Sequence, residues 1–407
     1  MENLLICKFI CARIDEVFLL NSIEKQLKKS LLTSREKYLM EVLFESELTE
    51  DIMNILMDRF DIDKANQNYT LMLACLGYRE GWRFFPKEMI PRLKGVHRYY
   101  QVQNSIGLPW LIQQLKILSD TGIPIMLIKG MAMRTYYDKG TPRLMWDYDI
   151  AVPEERYQDA LQLLCKGRNF LKGEWNHSGA ISNGKEEVDI HRWIFKENEE
   201  KNSDFWMRAI YFNFHDINVC VPSPEDMFLH QLDTQLYNWF RNEAPERRMK
   251  WLYDCRCIWS FLKEEDLYKL SVRAEELHMK YKIGIMFRLF ASCFPDLISQ
   301  SILYKYFAPT KEEYRWIKMW KKYKREVERY TEYLGTHKIG TVMTPGHSFR
   351  LIKLEKAYYY YHEPELWRAD PNINLWKYFK ETRNLGSFWD ALCFLIKYIS
   401  HIRIRKK

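Results

Sequence analysis

Between Ile123 and Ile194 the helical periodicity of the chain gives way to short bounded runs, and this change constrains the fold more than any other feature. Ile123 to Ile128 (IPIMLI) is a brief apolar run of strand length, closed by Lys129 and Gly130 and followed by a predicted short helix through Tyr137. After the loop residues Lys139, Gly140, Thr141 and Pro142, the segment Asp147 to Val152 (DYDIAV) alternates polar and apolar side chains, as a strand does. Pro153 and Glu154 open an amphipathic helix carrying Tyr157, Leu161 and Leu164. Two more strands are predicted at Trp175 to Ile181 and Glu187 to Ile194, joined through Asn183-Gly184, a strong hairpin signal. A further strand is predicted over Asp216 to Val221, and Pro222 to Asp226 form a helix start.

Helical patterning flanks this segment. From Ile14 to Ser119, residues such as Ile23, Leu27, Leu31, Leu39 and Leu43 recur near the 3.6 period, and Met227 to Phe240 and Arg248 to Leu262 are the clearest later helices. The expected fold class is α+β, a small mixed-sheet core between N- and C-terminal helical regions. The expected divisions are a helical region at 1–120, the α/β core at 121–222, a helical region packing on the core at 223–333 and a basic aromatic region at 334–407. Leu334 to Ser348, with Gly335, Gly340, Pro345 and Gly346, reads as a loop or linker.

The 407 residues are 47% hydrophobic, enough apolar mass for two or three packed units. The formal charge of +8 is unevenly spread. Residues 301–407 hold 22 basic and 11 acidic side chains, so the surplus lies there and the first 300 residues are close to neutral. Trp316, Trp320, Tyr323 and Tyr330 alternate with Lys318, Lys321, Lys322, Lys324 and Arg325. Segments 311–330 and 388–407 are therefore candidates for contact with an anionic surface, against the plainer reading of a solvated helix face. The N-terminus carries Glu2 and no basic n-region, and Phe388 to Ile399 is too short and too interrupted to span a bilayer, so a cytoplasmic location is expected. Nine cysteines without CxxC spacing read as reduced thiols.

The chemistry-bearing residues are carboxylates. On a strand, Asp147 and Asp149 share one face while Tyr148 and Ile150 take the other. By the same rule Glu187, Asp189 and His191 share a face, with Val188 and Ile190 opposite. If these strands lie side by side, Asp189 joins a three-carboxylate cluster, which stays ionised only beside a cation. Hard oxygen ligands favour Mg2+ or Mn2+, the ions of phosphoryl transfer. A DxD at a strand edge is also common as plain solvated acid. The Lys129-Gly130 turn could offer backbone N–H groups to a phosphate, although a glycine at a strand-to-helix turn has ordinary structural uses as well.

A glycine turn after a strand, a helix, an hDhDh strand and a later hDh strand together resemble the polymerase-beta-like nucleotidyltransferase superfamily. Within it, LIKGMAMRTYYDKGTPRLMWDYDIAV, EEVDIHRWIF and VPSPEDMFLH resemble a bacterial nucleotidyltransferase family whose members read LKG, then R and DIDLLV, then VDLHW and PSPED. The resemblance covers Ile123 to Leu262. It implies that Asp147, Asp149 and Asp189 are metal ligands, with Asp189 also helping to activate an acceptor hydroxyl. It implies that Lys129 and Gly130 lie along the triphosphate of an NTP such as ATP, and that Arg143 contacts phosphate or holds the loop. His191 matches the histidine of VDLHW and His177 an upstream one, each with a structural hydrogen-bonding role as the alternative. Trp239, Arg241, Arg247 or Arg248 are candidates to reach a base or phosphate, with solvated surface charge as the favoured alternative. Gly130 is followed by Met131, where the superfamily usually has Gly-Gly or Gly-Ser.

Other enzyme classes lack their signatures. No HRD or DFG follows Lys129 as in a kinase, and there is no GxxxxGK[ST] and no GxSxG. The expected activity is Mg2+-dependent transfer of an NMP from an NTP to a small-molecule, peptide or RNA hydroxyl, with release of pyrophosphate. The alternative is an inactive nucleotide-binding or interaction protein on the same fold, disfavoured because all three acids are present.

Overall fold

The computed structural model describes residues 32–45, 47–58, 62, 65–143, 145, 147–174, 178–195, 202–240, 246–277, 279–310 and 313. The chain divides into two compact units, residues 1–309 and 310–407. Apart from Glu313, the sequence features placed in 311–330, 334–348 and 388–407 lie outside the described residues, as do His177, Arg241 and the side chains of Trp239, Arg247 and Arg248. Among the described residues no helix is long and apolar enough to cross a membrane.

The first unit opens with helices α1 (Ser34–Val42), α2 (Glu50–Met57), α3 (Gln67–Arg79), α4 (Ile90–Ile106) and α5 (Leu108–Asp120). Thr33 caps α1 in a reciprocal pair with Glu36, satisfying two otherwise orphaned N–H groups. Then come β1 (Met126–Leu127), α6 (Lys129–Met133), β2 (Tyr148–Ala151), α7 (Tyr157–Leu164), β3 (Phe170–Glu174), β4 (Ser178–Ser182), β5 (Glu187–His191), α8 (Asn202–Arg208), β6 (Ile210–Phe214) and β7 (Ile217–Val221). Helices α9 (Pro224–Phe240), α10 (Glu246–Trp259), α11 (Leu267–Glu276), α12 (Lys280–Cys293) and α13 (Gln300–Phe307) complete the unit.

The seven strands form one mixed sheet in the order β3-β4-β5-β2-β1-β7-β6. β2 runs parallel to β5 and β1 parallel to β7, and the remaining pairs are antiparallel. Tyr148, Ile150, Val188 and Ile190 are buried. α7 packs against β4 and β5, and α5 packs against α7 and β7, so these two helices cover one side of the sheet. The close approach of α7 is visible at Gly179, where a Cβ would stand 2.9 Å from the Tyr157 hydroxyl and 3.0 Å from Leu161.

Two strands are absent from the sequence expectation. β3 is a bulged edge strand with exposed Phe170 and Leu171, so no apolar alternation marks it. β6 is also a mostly exposed edge strand. It joins β7 through His215 and Asp216, both in the left-handed region (φ 51° and 65°), a hairpin turn made without glycine. The Asn183-Gly184 hairpin forms between β4 and β5 as the sequence suggests, with Asn183 Oδ1 accepting from the N–H groups of Lys185 and Glu186.

The helical layer has its own aromatic core, Phe228, Trp259, Phe287 and Phe290, with ring centroids 5.1–5.6 Å apart from Phe228 to its neighbours and from Trp259 to Phe287. In the PSPED run, the Ser223 hydroxyl accepts from the Asp226 N–H at 3.3 Å, a capping contact. The Asp226 carboxylate itself is fully buried, 2.7 Å from Arg208 and 3.1 Å from Arg273. Burial outweighs the two arginines and pushes the Asp226 carboxyl above its ordinary value. Arg273 also meets Glu276 at 3.1 Å and Asp204 at 3.5 Å, so loss of Asp226 would remove one of several partners of this buried arginine. Asp226→Ala should therefore cost about 2 kcal/mol of unfolding free energy through its lost charge-assisted hydrogen bonds. Chemical denaturation measures it, and a change below about 1 kcal/mol would show that the Asp226 contacts contribute little to stability.

Candidate active site

The site is built by the pairing of β2 with β5. In register, Asp149 stands opposite Asp189, and Ala151 opposite His191. Parallel pairing with a side-chain period of two puts Asp149, Asp189 and His191 on one face. One ligand atom from each lies within 4.8 Å of the others, a group able to hold a metal ion. Asp149 and His191 are buried, and His191 Nε2 is 3.1 Å from Asp149 Oδ1.

Asp147 differs from its expected position. It lies in a bend one residue ahead of β2, outside the regular alternation, and it is exposed. His191 takes its place in the tight group. Asp147 still feels the same field: partial desolvation and the charge of Asp149 push its carboxyl up, while Lys129, Lys250 and Arg143 oppose them.

Lys129 enters this face as the first residue of α6, just after β1. Its Nζ is 2.6 Å from Asp149 Oδ1 and 3.2 Å from His191 Nε2. Its backbone has φ 46°, a left-handed conformation that costs a non-glycine residue about 1–2 kcal/mol. Burial pulls the Lys129 pKa down, but Asp149, then Asp147 and Asp189, more than offset it, and the amine stays charged. Burial likewise pushes the Asp149 carboxyl up, and Lys129 and His191 reverse this, holding it well below the usual carboxylate range. Asp189 has no such direct cation. Burial and the charge of Asp149 raise it to about 6, and its Oδ1 is buried with no hydrogen-bond partner among the described residues.

Two further expected residues meet one another. Gly130 is buried against the 143–145 loop, and a Cβ there would stand 2.9 Å from Arg143 Nη1 and 3.0 Å from Met145 Sδ. The packing of that loop is thus one reason for a glycine at this position. Arg143 is buried and grips Asp254 of α10 with Nε at 3.1 Å and Nη2 at 2.7 Å, while the Tyr137 hydroxyl donates to the same carboxylate at 2.5 Å. Asp254, which the sequence reading passed over, ties the loop to the helical layer. Beside this loop lies a cleft of about 390 Å³, with Asn104, Arg134, Tyr137, Lys139 and Arg143 on its walls. His230 of α9 is buried near Lys129, His191 and Asp149, and burial lowers its pKa to about 3, so it is neutral.

The sequence pattern of a family described as uncharacterised nucleotidyltransferases matches residues 64–295, more than half of the chain. The chain belongs to this nucleotidyltransferase family. No curated protein matches it. Among solved structures it is similar to the antibiotic-resistance factor ANT(2'')-Ia in solution, at 16% identity and a TM-score of 0.30, covering 46% of this chain and 92% of that one. It is also similar to the crystal structure of ANT(2")-Ia with adenylyl-2"-tobramycin, at 14% identity and a TM-score of 0.30, covering 45% and 97%.

The raised Asp189 carboxyl has a stability signature. Between its ordinary value of 3.8 and about 6 the folded chain binds this proton more tightly than the unfolded chain, so stability from this group falls as pH rises through that window. Asp189→Asn removes the penalty. In metal-free buffer the melting temperature of the variant should exceed that of the parent by a margin that widens from pH 4 to pH 7. A margin equal at both pH values would contradict the raised pKa.

Proposed function

We propose that this chain transfers an NMP from an NTP to an acceptor hydroxyl with release of pyrophosphate, using Mg2+ or Mn2+. The observation that carries the reading is the registered pair Asp149 and Asp189, whose second carboxylate keeps a buried oxygen without a partner. Two adjacent carboxylates and an orphaned oxygen fit a hard divalent cation, with Asp149 and Asp189 as ligands, His191 beside them and Asp147 at the open edge. Such a cation neutralises the clustered charge and stabilises the attacking and leaving oxygens.

The chain's own groups supply the rest. Asp189, set beside Asp149 by the strand register, is suited by position to help take a proton from the acceptor hydroxyl. The charged Lys129 amine offers an electrostatic partner to the phosphates, with Gly130 next to it. Arg143, engaged with Asp254, is suited to holding the loop that borders the cleft. We take residues 121–222 as the core that carries the chemistry and the helices on either side as its support. The acceptor, whether small molecule, peptide or RNA, is open to direct assay.

The test incubates the purified full chain with each labelled NTP, Mg2+ or Mn2+, and a cell extract, and follows transfer of label. Asp147→Asn combined with Asp149→Asn should lower transfer by about a thousandfold or more. Transfer that survives the double substitution would refute the mechanism, and its absence under every NTP would favour the inactive nucleotide-binding reading.

A further inference from the structure

We propose that Lys129 is the resident counter-ion of the carboxylate cluster, and that a divalent cation enters only by displacing its ammonium group from Asp149. The proposal rests on the metal-binding part of the reading above and goes beyond it, because it concerns what holds the site together before a metal arrives.

Three observations lead to it. The first is position: Lys129 Nζ lies against both Asp149 Oδ1 and His191 Nε2, on two of the three residues of the metal-competent group. The second is backbone conformation. Lys129 adopts φ 46°, so the β1–α6 turn holds an unfavourable geometry at the residue whose side chain fills the cluster. The third is the contrast between the two aspartates. Asp149 is paired with the ammonium group at 2.6 Å, whereas a buried oxygen of Asp189 is left without a hydrogen-bond partner among the described residues.

A metal ion and an ammonium group both bind through the lone pairs of a carboxylate, and they repel each other at close range. Asp149 Oδ1 is already shared by Lys129 and His191. Occupation of the group by a divalent cation therefore frees the ammonium, which then needs a new anion. The phosphates of an incoming nucleotide meet that need, so metal and nucleotide should bind with positive coupling. Lys129 would in this way set the order of assembly, resisting free metal and accepting it together with a polyphosphate.

The experiment titrates the full chain with Mn2+ alone, followed by electron paramagnetic resonance, in wild type, Lys129→Met and Lys250→Met. Lys250 is a nearby positive charge that acts on Asp147. It serves as the control for simple loss of repulsion. Lys129→Met should bind Mn2+ about tenfold more tightly or better, and Lys250→Met should change affinity less than about threefold. Equal affinities in wild type and Lys129→Met would overturn the displacement while leaving metal binding intact. An equal gain in both variants would also overturn it, showing general charge rather than a shared oxygen. No Mn2+ bound by any of the three would overturn it together with the metal reading. Should Lys129→Met fail to fold, reductive methylation of the wild-type protein read by mass spectrometry replaces it. Labelling of Lys129 should then rise several-fold at saturating Mn2+, and unchanged or reduced labelling refutes the proposal. Loss of nucleotide transfer with the expected Mn2+ behaviour would sink only the transfer reading.

Discussion

The parallel pairing of β2 with β5 is the constraint on which the site depends. It sets Asp149 beside Asp189 and brings His191 to the same face, with apolar Ile150 and Ile190 buried at the intervening positions. Burying two adjacent carboxylates is unfavourable unless a positive charge meets them. Lys129 supplies one such charge from a strained turn, and Asp189 remains incompletely compensated. The fold thus carries an electrostatic demand at one spot, and the proposed divalent cation is the species offered to meet it.

A second set of buried contacts keeps the neighbouring loop in place. Arg143 leaves the turn after Pro142 and reaches Asp254, more than a hundred residues away, where Tyr137 also donates. Removing water from this pair strengthens the attraction and makes the loss of either partner costly. The same loop presses on Gly130, so the turn that aims Lys129 and the helix that bears Asp254 are packed through one small residue. The carboxylate cluster and the residues that hold the loop therefore share a structural base.

Much of this was legible in the sequence because period-two patterning is a local property. DYDIAV and EEVDIH announce their two faces residue by residue, and Asn183-Gly184 announces its hairpin. The same rule put His191 on the face of Asp189, although its entry into the ligand group in place of Asp147 depended on where β2 begins. β3 and β6 were not legible, since both are edge strands with exposed apolar side chains and one turns through His215-Asp216. Asp254 was hidden for a different reason: in ERRMKWLYDCRCIW it looks like any helical acid, and only tertiary packing reveals its partner. Lys129 meets Asp149 and His191 from a left-handed backbone conformation that no sequence pattern encodes.

The central claim is that the face shared by Asp149 and Asp189 is a divalent cation site. Anomalous diffraction from crystals grown with Mn2+ and a non-transferable NTP analogue tests it most directly. The account predicts an anomalous peak between the carboxylates of Asp149 and Asp189, with the Lys129 side chain moved off Asp149. Ordered nucleotide with no peak at that face, or a peak held by other residues, would contradict it.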